Sequence, residues 1–336
     1  MTVELIPVKA TPRSLAWQGD ALVSVVGGGR RWGPDRSESR ALFEWGFPFD
    51  AGTTSVTGPY SAVYQERGTK GVLLEGGRSL RELNRSYYRA LNTDYPLALG
   101  TLGDGRDVLV HCPEEFNVLQ IEDAATGERL TTGSREPEDI FHSRLSLSPD
   151  GRHLLSVGWF WQPFGIAMVC DTALALTDAS TLDGDGLLPL AAVSGGEVTA
   201  GCWLDADRLV LATGAEEWYD AEERATAPPP PALAPRHLGV WSMAEGNWLH
   251  RNAVPDADPG VLLLPRGDQV VSLHGHPRLL DAATGRIAAE WPEVPVPLKA
   301  TCFGYSRTPT PVAALHPDGT RLAVAQAESI ALITLP

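Results

Sequence analysis

Residues 145–157, LSLSPDGRHLLSV, hold two strands and their turn in one short unit, and this unit constrains the chain more than any other feature. Leu145 and Leu147 alternate with serines, as the exposed and buried faces of a strand require. Pro149 then fixes its own φ, Asp150 can bond its local backbone, and Gly151 accepts a positive φ, so a tight turn follows. Leu154, Leu155 and Val157 resume the apolar run. Residues 313–324, AALHPDGTRLAV, repeat the plan, and weaker copies start near Arg13, Tyr60, Leu97, Val198 and Gly260.

Seven such hairpins divide 336 residues into units of about 48, against roughly 40–45 for a four-stranded WD40 repeat. After several of them a third strand runs into a tight turn and a fourth. The string DAATG marks that turn twice, at 123–127 and 281–285, where the Asp suits an Asx turn and the Gly a positive φ. Trp241 and Ser242 stand where many repeats carry a WD dipeptide. On these SPDG and HPDG hairpins the chain resembles the WD40-like β-propeller family, in the form met in bacterial WD40 repeat-like proteins. The resemblance spans the whole chain and is weakest over residues 40–95. It implies an all-β fold: a seven-bladed propeller of four-stranded blades, forming one domain over 1–336. The last unit stops after its third strand, SIALIT at 329–334, while TVELIPV at 2–8 precedes the first complete unit. The N-terminal strand is therefore expected to close the ring as the outer strand of the last blade, which leaves no open edge.

The net charge of −15 repels phosphate backbones and anionic lipid, which argues against nucleic acid and membrane surfaces as partners. It favours a basic or neutral protein or peptide. Cys112, Cys170, Cys202 and Cys302 lie far apart with no zinc spacing, so buried, reduced thiols are expected, with no metal and no cofactor. No signal-peptide pattern opens the chain and no apolar run could span a bilayer, so a cytoplasmic monomer is expected.

With strands lettered a to d from the ring axis outward, the b–c and d–a loops share one rim, and the unusual residues concentrate there. The loop set at 27–36 holds Arg30, Arg31 and Trp32; that at 158–164 holds Trp159, Phe160 and Trp161; and an acidic, proline-rich insertion at 215–236 in blade five holds Trp218 and Tyr219. These eight residues are the candidate partner-binding set, because Trp and Arg are enriched at binding hot spots and loops on a rigid scaffold carry function. Loop aromatics that only pack on one another are the competing reading, and for the arginines so is pairing with the acids of 216–223. No nucleophile elbow, HExxH or phosphate-binding loop is present. The function expected is that of a non-catalytic binding scaffold. The rival is a propeller enzyme, a hydrolase or lyase acting on a small molecule, with His274 or His276 and Glu114 or Glu115 meeting at the channel mouth. The run DGDG at 183–186 lacks the rest of a calcium loop and reads as a flexible turn.

Overall fold

In the computed structural model the apolar runs form seven small antiparallel sheets arranged as a β-propeller. The structure describes residues 2–40, 45–56, 58–160, 164–184, 186–193, 195–217, 232–254, 258–305 and 307–336. Strands such as Asp107–His111 and Arg321–Ala325 are buried on both faces because each blade is covered by a neighbour on either side. Among the described residues an apolar cluster fills each of the seven junctions between blades; Leu109, Leu73 and Tyr60, for example, lock blade two to blade three. The ring closes as expected. Val3–Pro7 pairs antiparallel with Ser329–Thr334, Val3 opposite Ile333, and completes blade seven from outside.

The turns repeat the chemistry of their residues. Asp123 Oδ1 accepts from the Thr126 amide at 2.8 Å, Asp281 Oδ1 does the same from Thr284 at 2.8 Å, and Gly127 and Gly285 take φ of 76° and 69°. Arginines link turns of neighbouring blades: Arg81 donates to the Ala124 carbonyl, Arg208 to Asp268, Arg266 to the Gly319 carbonyl and Arg321 to Asp20. Two tryptophans of inner strands reach across as well. Trp17 Nε1 donates to the Ala314 carbonyl at 3.0 Å, and Trp203 Nε1 to that of Ser146 at 3.4 Å.

Three departures from the repeat are informative. In blade two the hairpin at Tyr60 is strands b and c, not a and b; the inner strand is Ala51–Thr54, whose small polar residues carry no apolar signature. Blade three has three strands, its outer edge met by the Glu122–Arg129 bridge, the Leu130 amide on the Ile121 carbonyl, the Asp123 amide on the Glu128 carbonyl and the Ile121 amide on Thr131 Oγ1. Blade four splits its inner strand into Ile140–Phe141 and Ser146–Leu147 and has short helices, Thr172–Thr177 and Leu190–Val193, where an outer strand would run. Asp183, read as part of a flexible turn, is instead a buried anchor. It accepts from Arg135 Nε and from the Glu136 amide, both at 2.8 Å.

Candidate functional site

The connection from blade six to blade seven, residues 291–312, does not run directly between its blades. It is tied down first by Trp291 and Val294, both 2% exposed, and by the Val296 amide on the Gly275 carbonyl. Beyond Leu298 it reaches blades on the opposite side of the ring. Thr93 and Phe303 form an antiparallel bridge, with the Asp94 amide on the Cys302 carbonyl and the Gly304 amide on that of Asn92, at 3.2 and 2.9 Å. Phe303 stacks on Trp159 of blade four at 3.6 Å and 6°, and Thr301 Oγ1 lies 3.5 Å from Glu197 Oε1 at the start of blade five. A segment that leaves between blades six and seven and touches blades two to five must cross the ring axis. It is a strap over the mouth of the channel.

Charge pins the strap. Lys299, 3% exposed, donates from Nζ to Asp94 Oδ1 at 2.7 Å, to Glu66 Oε1 at 2.9 Å and to Thr310 Oγ1 at 2.8 Å. Asp94 also accepts from Arg67 Nε at 3.3 Å and from Arg144 at 3.2 Å. A buried charge persists only when paired and hydrogen-bonded, and every member of this cluster meets that condition through another member. Glu197 stands outside it: burial first, and the nearby Glu216 second, push its carboxyl up to about 7.

An aromatic row joins the strap to the ring. Tyr88, Phe116, Phe141, Trp159 and Phe303 follow one another at centroid distances of 3.6 to 5.5 Å, with Cys302 buried among them. Beneath it His142 is held neutral, its pKa taken down to about 4 chiefly by burial, with Nδ1 3.1 Å from Ser156 Oγ. Around the row, Tyr87 and Tyr305 are each 84% exposed, Leu298 67% and Leu91 66%.

The candidates read from the sequence fall in several places. Trp32 and Trp159 are not loop residues. Trp32 ends strand c of blade one, 1% exposed, and Trp159 lies within His153–Phe160, 6% exposed, because strands b and c of blade four run eight residues each and absorb the expected loop. Phe160 is half-buried opposite Phe164. Arg30 donates to the Ala10 carbonyl and lies 5.5 Å from the Trp32 ring, while Arg31 donates to Gln18; Asp220, Glu222 and Glu223 of the blade-five insertion lie outside the described residues. Trp161, Trp218 and Tyr219 lie outside the described residues. Of the rival set, His276 pairs with Glu290 at 3.1 Å on its own blade and Glu114 with Arg129 at 2.8 Å, while His274 flanks a turn and Glu115 is exposed. These four are not assembled into one site. The four cysteines are free and buried.

The strap and its ligands were missed in the sequence. A signal exists: residues 294–317 contain no Asp or Glu, and Lys299 stands in the middle of prolines as one of three lysines in the chain.

No protein-family model matches the sequence, and no curated protein matches it. Among solved structures, the chain is similar to one in the crystal structure of a mitotic checkpoint complex, with a TM-score of 0.61 at 15% identity, covering 99% of this chain and 93% of that one. It is also similar to the computationally designed Ika8 protein, with a TM-score of 0.53 at 13% identity and 98% of each chain covered. Likeness at such identity is likeness of fold, and propellers serve many functions.

Proposed function

We propose that this WD40-like propeller is a non-catalytic binding scaffold that takes a protein or peptide partner on the rim formed by its b–c and d–a loops. The observation that carries the reading is the strap. It crosses the channel mouth, where a small-molecule site would otherwise lie, and its exposed Leu298 and Tyr305 are joined by exposed Tyr87 and Leu91 from the loop between blades two and three. Exposed tyrosines over a rigid aromatic floor match the makeup of interface anchors, since they offer contact area at little cost in side-chain entropy. In this reading Trp159 supports the surface from below, Trp32 stiffens blade one, and Arg31 extends the contact around the rim.

The test is capture of a partner by the immobilised chain, followed by affinity measurement with the purified pair. Tyr87→Ser with Tyr305→Ser should weaken binding by at least about tenfold, or 1.4 kcal/mol, with unchanged melting. His274→Ala with His276→Ala should leave binding as it was. Partner affinity indifferent to the tyrosine pair would sink the proposal.

A further inference from the structure

We infer that the channel mouth is a peptide-binding site which the strap occupies in cis, and that its ligand in trans is a segment bearing a lysine and, four residues on, an aromatic ring, as Lys299 and Phe303 do. The site lies where the strap meets the ring, whereas the rim reading above concerns the side chains exposed outside it. The inference goes beyond that reading and does not depend on it.

The strap meets the ring as a bound peptide would. Residues 297–305 add no strand to blade six or seven, and Lys299, Thr301 and Phe303 reach across to Asp94 and Glu66, to Glu197 and to Trp159. The main chain is clamped on both sides of Phe303. The Cys302 carbonyl accepts from the Asp94 amide at 3.2 Å, the Gly304 amide donates to the Asn92 carbonyl at 2.9 Å, and the Gly304 carbonyl accepts from Arg67 Nη1 at 2.7 Å. Such bonds hold any extended segment, as in strand addition at a sheet edge, and leave the choice of sequence to the side chains. Two side chains make that choice. The Lys299 ammonium sits between Glu66 Oε1 and Asp94 Oδ1, at 2.9 and 2.7 Å, and the Phe303 ring lies flat on Trp159 at 3.6 Å. Leu298, Ala300 and Tyr305 are exposed.

The ring's half of this contact is built without the strap. Arg67 and Arg144 hold the Asp94 carboxylate, Asp50 Oδ1 accepts from the Glu66 amide at 2.7 Å, and buried Arg85 donates to the carbonyls of Ala90, Thr93 and Asp94. Trp159 is fixed in its strand opposite Phe141. Asp94 thus has two arginines of its own, whereas the Glu66 side chain, 18% exposed, is paired with Lys299. A nearly buried carboxylate is costly without a cation, so a ligand that brings an ammonium to Glu66 is favoured over a neutral or acidic one. The strap's ends are secured separately. The Val296 amide donates to the Gly275 carbonyl on blade six, and the Val312 carbonyl accepts from the Ala325 amide on blade seven. Residues 297–305 are therefore displaceable without opening a blade, and the net charge of −15 draws a lysine-bearing segment in the same sense.

The test titrates a labelled synthetic peptide of residues 297–305, PLKATCFGY, under reducing conditions, against the full-length chain with its strap loosened by Lys299→Met and Phe303→Ala. This variant should bind the peptide and melt at a higher temperature in its presence. The parent should bind at least about tenfold more weakly, because its tethered strap competes at an effective concentration on the order of millimolar. Lys299→Met or Phe303→Ala made in the peptide should each weaken binding at least about tenfold, as should Glu66→Gln added to the variant chain. Phe303→Ala alone replaces the double variant if that chain does not fold. Absence of binding to the loosened chain would overturn the inference, as would binding indifferent to both peptide changes or equal binding by the parent. None of these outcomes touches the Tyr87 and Tyr305 test, so the rim reading survives or fails by itself.

Discussion

Lys299 Nζ lies 2.7 Å from Asp94 Oδ1 although 205 positions separate them in the chain, and the contact joins a loop of blades six and seven to one of blades two and three. Both side chains are nearly excluded from water, at 3% and 7%. Lys299→Met would leave Asp94 and Glu66 without their shared ammonium. The expected cost is about 3 kcal/mol, since Glu66 is left with no cation while Asp94 keeps Arg67 and Arg144. Lys299→Met with Asp94→Asn should cost less than the sum of the two single changes, measured as a denaturant double-mutant cycle. Additive effects would mean the pair is not coupled.

Trp159 and Tyr87 should behave oppositely. Trp159, 6% exposed and stacked on Phe303, forms part of the floor, so Trp159→Ala is expected to lower stability by about 3–5 kcal/mol. Tyr87, 84% exposed, should change stability by no more than about 0.5 kcal/mol when replaced by Ser. Urea melts of both variants decide the matter; a mild Trp159→Ala would place the ring outside the core.

Glu197 makes stability depend on pH with a definite sign. Its carboxyl titrates at about 7 in the folded chain against an ordinary value of 4.5, so the folded state keeps a proton that the unfolded state releases earlier. The contribution is complete below about 4.5 and is lost as pH rises through about 7, amounting to about 2–3 kcal/mol. His142 acts in the opposite sense over neighbouring pH, since burial holds it neutral down to about 4 and its contribution is lost on acidification. The parent alone would therefore show a blunted profile. Subtracting the curve of Glu197→Gln isolates the carboxyl: the variant should gain on the parent steadily from pH 4.5 to 7, and a flat difference would refute the assignment.

Gly151 and Gly319 occupy equivalent turns but should not tolerate alanine equally. Both have positive φ, 71° and 74°. A methyl on Gly151 would stand 2.1 Å from the Thr101 carbonyl oxygen and 2.7 Å from Leu102 Cα, backbone atoms of the preceding blade, whereas one on Gly319 would meet only the flexible Arg266 chain at 3.4 Å. Gly319→Ala should cost about 1 kcal/mol through its φ alone. Gly151→Ala should cost clearly more, because two blades must separate to admit it. Equal melting temperatures for the two variants would contradict this difference.

Turn chemistry made the architecture legible. Hairpins at Ser148–Gly151 and His316–Gly319 and the paired DAATG turns are local devices whose residues specify a backbone, and the ring followed by counting them. The inner strand of blade two escaped notice because Ala51–Thr54 is small and polar. Trp159 was misplaced because Gly158 beside it reads as a break. Gly158 is in fact a strand residue, required where a Cβ would lie 2.5 Å from the Phe141 carbonyl oxygen. The strap was beyond reach for a different reason. Lys299 finds Asp94 and Glu66 only after five blades have been placed, and no local pattern encodes a partner that distant.

The pairing of Val3–Pro7 with Ser329–Thr334 also orders events in time. Thr2 and Thr334 are hydrogen-bonded across 332 positions, so during synthesis the first strand emerges long before its partner exists. At roughly 5–20 residues per second it waits unpaired for tens of seconds. Glu4 and Leu5 are exposed even in the closed ring, so the apolar surface that waits for cover during that interval is that of Val3, Ile6 and Val8. Ring closure is thus a step completed only once the last blade has been translated, and a ribosome stalled before residue 329 would display an open ribbon with two free edges in place of a closed ring.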